Sequence, residues 1–310
     1  MQIINTLFYS LLIFSLASVE AKVADHLKKH SEQSECRTIR NIDYIYMINL
    51  DERPEKFAMS LKQLEPYGIV PSRFSAVNGW QLSFETINDV GVKYQPWMQS
   101  DHMGTCYLPE NGGMPQHERV HVVGRNYFCH CMSRGAIGIF LSHLSILQDA
   151  YDAGYETIWV MEDDIEVIQD PRILSNLIDG LDRAVGKQGW DILFTDRDTK
   201  SQSGDYIPCK AAAWRPNFTP SNSERFAVDK SQGRHYRRIG ARYGAYSMIV
   251  RRSGMKKLLK FFNKYQIFLP YDMDFVLPND IKLFTVNEDV VSTITNALSD
   301  NGGPNYEKER

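Results

Sequence analysis

No charge of either sign dominates this sequence. Against 38 Asp and Glu stand 35 Lys and Arg, a formal net charge of −3, so composition favours neither nucleic acid nor an anionic membrane surface as a partner. Zinc-ribbon spacing is missing too. None of the five cysteines (Cys36, Cys106, Cys129, Cys131, Cys209) forms a C-x-x-C pair. Five thiols allow two disulfides and one leftover, and no pairing follows from the sequence. Cys129 and Cys131 would share a face of a strand, yet a bridge that close is strained. There is no internal repeat. With 310 residues, 43% hydrophobic and 24% charged, the chain fits one large domain or two small ones, with a core that needs no staples.

The first twenty residues stand apart. IINTLFYSLLIFSLASV carries no charge before Glu20, and VEA before Lys22 offers small residues for cleavage after Ala21. The expectation is a secretory signal peptide at 1–21, although no Lys or Arg precedes the apolar run. The alternative is an uncleaved anchor that associates residues 3–19 with a membrane. Either places the rest of the chain in the secretory pathway or exports it. Residues 22–42 are polar and read as a loose leader.

YIYMINL (44–50) then has the β-branched and aromatic content of a strand buried on both faces. Pro54 suits a first helical turn. Phe57, Leu61 and Leu64 follow at helical spacing, and Gly68 suits the stop. SRFSAV (72–77) is a second strand, so the chain opens β-α-β and predicts a sheet with parallel strands. Residues 80–132 hold Pro109, Gly112, Gly113 and Pro115 and read as an insertion or long loop system rather than core. Ile137, Phe140, Leu141, Leu144, Leu147 and Tyr151 predict an amphipathic helix over 135–152, ended by Gly154. Strands are expected at YETIWVM (155–161), WDILFT (190–195) and YGAYSMIV (243–250). Ser253 is placed to cap a helix over 254–262. Residues 196–240 read as loops over a site, and the last dozen residues as frayed.

HERVHVVGRNY (117–127) matches H-E-x-x-H-x-x-G-x-x-Y, one residue from a zinc-endopeptidase signature. That chemistry needs a helix to set His117 and His121 on one side of a metal with Glu118 near its water. Val120, Val122 and Val123 alternate around His121, which is strand grammar. A secreted metallopeptidase is therefore the alternative and a polar surface strand the first choice. A structural zinc among His102, Cys106, His117, His121, Cys129, His130 and Cys131 stays open.

IWVMEDDIEV is a better place for chemistry. A buried strand delivers Glu162, Asp163 and Asp164 to its C-terminal end, where open α/β sheets bind ligands. Like charges this close are costly unless a cation lies between them. Mn²⁺ and Mg²⁺ favour such oxygen ligands and fill their shells with water and substrate phosphates. Asp196-x-Asp198 follows the same logic, and spacing does not choose between the two.

YMINLDERPEKF, SRFSAVNG, GAIGIFLSHLSILQDAYDAGYETIWVMEDDIEV, WDILFT and YGAYSMIVRRSGMKKLL, in that order, resemble glycosyltransferase family 25. That family includes lipopolysaccharide glycosyltransferases and procollagen galactosyltransferases. The resemblance runs from about Tyr44 to Asp274. It implies an α/β, GT-A-like single domain over 43–298, with a mixed, mainly parallel sheet flanked by helices and a tail at 299–310. It implies transfer of a sugar, often galactose, from a UDP-sugar with inversion. The acceptor would be a glycan, a lipid-linked sugar or a protein hydroxyl. By position it places Asn49, Asp51, Arg53, Ser142 and His143 at the nucleotide and Glu162, Asp163 and Asp164 on Mn²⁺ or Mg²⁺.

Arg53 or Arg134 would add positive charge at the departing diphosphate, and LPYDMDFVLPND offers Asp272, Asp274 and Asp280 as general bases, Asp272 first. RHYRRIGARYG (234–244) could hold an anionic glycan. The long stretch before SRGAIG and the Asp196-Arg197-Asp198 turn depart from the family pattern on the acceptor side. They keep a non-catalytic, glycan-binding relative in view.

Overall fold

The computed structural model describes residues 23–30 and 36–308. The apolar stretch at 3–19 lies outside the described residues. Among those described, no helix is long and apolar enough to cross a membrane. The helices are α1 (Pro54–Leu64), α2 (Phe84–Val90), α3 (Arg134–Asp152), α4 (Ile173–Val185), α5 (Arg252–Tyr265) and α6 (Tyr271–Asp274). The first seven strands are β1 (Tyr44–Asn49), β2 (Ser72–Ser75), β3 (Val92–Lys93), β4 (Met103–Tyr107), β5 (Pro115–Arg119), β6 (Asn126–Cys129) and β7 (Thr157–Glu162). They are followed by β8 (Ile165–Val167), β9 (Ile192–Phe194), β10 (Asp229–Gln232), β11 (Tyr236–Ile239), β12 (Ser247–Arg251), β13 (Leu283–Val286) and β14 (Val291–Thr293).

Eight strands form one mixed sheet in the order β10-β11-β13-β9-β12-β7-β1-β2. The pairs β1–β2, β1–β7 and β9–β13 are parallel. β12 runs antiparallel to both its neighbours, and β10–β11 and β11–β13 are antiparallel. The β-α-β opening is present, α1 ends at Leu64, and Gly68 takes the left-handed conformation that closes the following short 3₁₀ turn. Helices cover both faces, which explains the unbroken apolar runs. Tyr46, Ile48, Ile158 and Val160 pack into the layer under α3 and α5. Ile45, Met47, Trp159 and Met161 pack into the layer under α4. Alternate residues of one strand therefore feed two cores.

α3 is the most buried helix, and two glycines set how close it sits. A Cβ added at Gly138 would lie 2.4 Å from the Val77 carbonyl oxygen and 2.5 Å from the Gly79 nitrogen. One at Gly79 would lie 1.8 Å from the Arg134 oxygen. Backbone meets backbone here, and the Val77–Gly79 turn is part of the site described below. Gly138→Ala should therefore lower stability by about 1–3 kcal/mol by overpacking, although alanine is the better helix former by about 1 kcal/mol. Urea unfolding measures it, and a more stable variant would refute the close approach.

Five expectations change. Residues 196–240 are not all loop: Asp229–Gln232 and Tyr236–Ile239 add the two edge-side strands β10 and β11 to the main sheet. Residues 80–132 are not a loose loop system. They contain α2 and a small antiparallel sheet in the order β3-β6-β4-β5, with Cys106, Tyr107, Val120, Tyr127 and Phe128 buried in the main core. The leader is pinned where it is described: the Lys28 ammonium donates to Ser75 Oγ, and Arg37 bridges Val70. Residues 299–308 are packed, with Asp300 and Tyr306 buried. Ser253 does not cap α5. Arg251 holds the N-cap position without a side-chain bond, and Ser253 Oγ donates to Asp191.

Candidate functional site

The register places the acidic triplet. Ile48 of β1 pairs with Glu162 of β7, so Asn49 leaves its strand beside Asp163. Asn49 Nδ2 donates to Asp163 Oδ2 at 2.6 Å and to the Arg53 carbonyl at 2.8 Å. On the other side, the Glu162 amide donates to the Tyr246 carbonyl ahead of β12. α1 holds the turn from below, with Ser60 Oγ donating to the Asp163 carbonyl at 2.7 Å. From α3, His143 Nε2 lies 3.1 Å from Glu162 Oε1, and its ring stacks on Tyr271 at 4.3 Å. Ser142 Oγ accepts from the Val77 amide at 2.8 Å and fixes the turn after β2.

The triplet, Ser142 and Val77 line a pocket of about 90 Å³. Arg53 and Lys56 stand opposite the triplet, Asn78 and Trp80 form a side wall, and Ser299, Asp300 and Asn301 close it. Arg53 and Lys56 lie 3.0 and 3.5 Å from the Asp300 carboxylate, and the Trp80 indole donates to the Asp300 carbonyl. Burial raises the Asp163 carboxyl to about 6, against the Asn49 hydrogen bond. Burial, then the charges of Glu162 and Asp163, raises Asp164 to about 7.

The donor set fits a divalent ion of the oxygen-loving kind. Asp164 Oδ1 is buried without a hydrogen-bond partner, and a native buried acceptor left so asks for a ligand. Among the described residues no three His, Cys, Asp or Glu side chains converge into a ready cage. Mg²⁺-type sites commonly rest on one or two carboxylates and take the rest of their shell from water and phosphate.

The competing motifs resolve differently. Asp196 is wholly buried and accepts from Arg242, from the Tyr246 hydroxyl at 2.6 Å and from Ser292. It braces the sheet and presents no free oxygen to a metal. Pro115–Arg119 is a strand, so His117 and His121 lack the helical spacing a zinc peptidase needs. His117 meets Thr105, and Glu118 binds Arg125 and Tyr127. The His and Cys side chains of 102–131 form no three-ligand cluster among the described residues.

The family model described as glycosyltransferase family 25 (LPS biosynthesis protein) matches residues 42–276. The chain belongs to glycosyltransferase family 25. A "Glycosyltransferase 25 family member" of Aedes aegypti is 31% identical over 156 residues, 50% of this chain and 21% of the relative. "Inactive glycosyltransferase 25 family member 3" of Homo sapiens is 26% identical over 160 residues, 50% of this chain and 22% of the relative. "Procollagen galactosyltransferase 1" of Danio rerio is 25% identical over 156 residues, 50% of this chain and 21% of the relative. The match thus spans about a fifth of these curated relatives.

Within this family 25 chain, Arg53, Ser142 and the triplet line one pocket, and Asn49 and His143 reach it only through Asp163 and Glu162. Asp51 does not reach the pocket. Its side chain is 61% exposed, pairs with Arg73 and faces a neighbouring groove with Lys28 and Gln81. Arg134 is also turned away, donating to the carbonyls of Gly79 and Leu82. Of the three candidate bases, Asp274 is sealed in an ion pair with Arg215, and Asp280 is exposed beside Lys257. Asp272 alone lines the cavity next to Glu162, accepting from the Gly244 amide at 3.0 Å. Burial pushes its carboxyl up. Sequence reasoning missed Lys56, one helical turn beyond Arg53 in the same quoted block. It also missed Trp80 and the 299–301 closure, which no local pattern marks.

Proposed function

We propose that the chain is a metal-dependent, inverting glycosyltransferase. It transfers a sugar, galactose as first candidate, from a UDP-sugar to a hydroxyl of a glycan, a lipid-linked sugar or a protein. The apolar residues 3–19 support delivery to the secretory pathway. The observation that carries the reading is the unpartnered Asp164 Oδ1, on a carboxyl raised by burial beside a second raised carboxyl, Asp163, facing Arg53 and Lys56 across one pocket.

Asp163 and Asp164, with Glu162 beside them, would hold Mn²⁺ or Mg²⁺, which when bound neutralises charge on the departing diphosphate. Asn49 fixes the Asp163 carboxylate, and His143 fixes Glu162. Arg53 and Lys56 supply fixed positive charge where the diphosphate leaves. Asp272 takes the acceptor proton, and its burial moves its basicity toward neutral pH.

A thermal-shift titration with UDP tests the reading. UDP should raise the melting temperature only when Mn²⁺ or Mg²⁺ is present, by mass action on the folded state. No shift under any metal condition would sink the assignment. Similarity to the human relative named inactive favours a second reading, a non-catalytic relative. That reading keeps the UDP shift and lacks turnover of any UDP-sugar.

A further inference from the structure

The five cysteines do not fall alike in the fold. Cys36, Cys106 and Cys209 each donate to a backbone carbonyl, of Ile45, Gln116 and Ala211 respectively. Cys129 and Cys131 face each other instead, sulfur to sulfur at 2.8 Å. A shared strand face does not bring them together. β6 ends at Cys129, and the chain turns back at once, with the Met132 amide donating to the Cys129 carbonyl at 3.0 Å. That turn is clamped at both ends. The Cys129 amide donates to the Phe268 carbonyl at 2.8 Å, and the Met132 carbonyl accepts from the Tyr107 hydroxyl. The backbone thus holds two thiols in contact without help from a bond between them.

Their surroundings differ. Cys129 is 5% exposed, while Cys131 lies at the surface. A hydrogen bond from Cys129 lowers the Cys131 thiol to about 6, and the neighbouring His130 acts in the same direction. The same contact, then burial, keeps the proton on Cys129. An exposed thiolate is the form that attacks a disulfide, and a thiol held against it is placed to resolve the product. A bond between residues only two apart is strained, and strained disulfides are the readily reduced ones.

We propose that Cys129 and Cys131 form a reversible dithiol–disulfide site that exchanges with small disulfides, with Cys131 attacking and Cys129 resolving. The Cys131 thiolate attacks one sulfur of the small disulfide, whose S–S bond breaks, and a first small thiolate leaves. The Cys129 proton passes to that leaving group. The Cys129 sulfur then attacks the Cys131 sulfur, the mixed disulfide breaks, and a second small thiolate leaves. It takes from water the proton that Cys131 gave up on ionising. Two cysteine thiols are oxidised to one disulfide, and one small disulfide is reduced to two thiols.

The experiment uses the full chain, reduced, freed of reductant and incubated with oxidised glutathione. Remaining thiols are blocked with N-ethylmaleimide, and the tryptic peptide 126–134, which carries both cysteines, is weighed by mass spectrometry. The wild-type peptide should lose both blockable thiols and carry no glutathione, and excess reduced glutathione should return both. Cys129→Ser should instead keep one glutathione on Cys131, because no thiol remains to resolve it. Cys131→Ser should acquire glutathione about tenfold more slowly or worse, because its thiol is buried and protonated. Melting temperatures show whether each variant is folded, and the wild-type mapping decides the proposal without them. A wild-type peptide that keeps both thiols at saturating oxidised glutathione, one that stops at the glutathione adduct, or a bond that reduced glutathione does not reopen would each overturn the proposal. Faster adduct formation in Cys131→Ser than in Cys129→Ser would overturn the assigned roles.

Discussion

Replacing Asp164 with asparagine is expected to abolish sugar transfer and the Mn²⁺-dependent response to UDP, while raising the melting temperature of the metal-free protein. The two effects share a cause. The Asp164 carboxyl sits at about 7 in the folded chain, above its ordinary 3.8, because it is buried beside Glu162 and Asp163. A group raised on folding stabilises the fold only while protonated. Its contribution is complete below about pH 4 and is lost as pH climbs through 7. The metal-free protein should therefore weaken between pH 4 and pH 7. At pH 7.5 the asparagine variant should recover on the order of 2–4 kcal/mol, a rise of roughly 5 °C or more in melting temperature. Near pH 4 the two proteins should converge. Turnover should fall by roughly 10²-fold or more, since the charge that would hold the ion is gone. Calorimetry from pH 4 to 8, with and without Mn²⁺, reads the stabilities, and a sugar-transfer assay reads the turnover. A variant that transfers sugar at the wild-type rate, or that melts below wild type at pH 7.5 without metal, would contradict the assignment.

Asp274→Ala should be the most destabilising single change near the site. Arg215 and Asp274 are both completely buried, and one guanidinium nitrogen lies 2.6 Å from each carboxylate oxygen. Removing the acid strands a buried guanidinium, which costs about 3–5 kcal/mol, roughly 10 °C in melting temperature for a chain of this size. Adding Arg215→Met should restore part of the loss, because the double variant buries no lone charge. Denaturant unfolding of the three variants gives the coupling energy. A loss below about 1 kcal/mol for the single change would show that Arg215 reaches water.

How much was legible differs by layer. The strands at 44–50 and 155–161, the helix at 135–152 and the triplet at the sheet edge were readable because period and composition act locally. Asn49 and His143 reached the site through family resemblance, since nothing in their neighbours says that β1 will lie beside β7. The small sheet within 80–132 was hidden by its glycines and prolines, which mark turns between short strands as readily as loops. Asp51 misled because a carboxylate two residues beyond a strand can point to either side of it, and here Arg73 and Ser75 draw it outward. Residues 299–301 were unreadable because their value lies in distance. Asp300 takes the Trp80 indole, and Tyr306 just beyond takes Asn78, each partner more than two hundred positions earlier.

That last contact has a thermodynamic consequence. Asp300 holds Arg53 and Lys56, the two cations that face the acidic triplet. An anion that binds Arg53 and Lys56 competes with this carboxylate for the same two cations. Anion binding at those cations and release of Asp300 from them would then be linked, and linkage is reciprocal. Whatever holds Asp300 on Arg53 and Lys56 would weaken such an anion by the same factor by which the anion loosens Asp300, so the affinity of the pocket would be set from the far end of the chain.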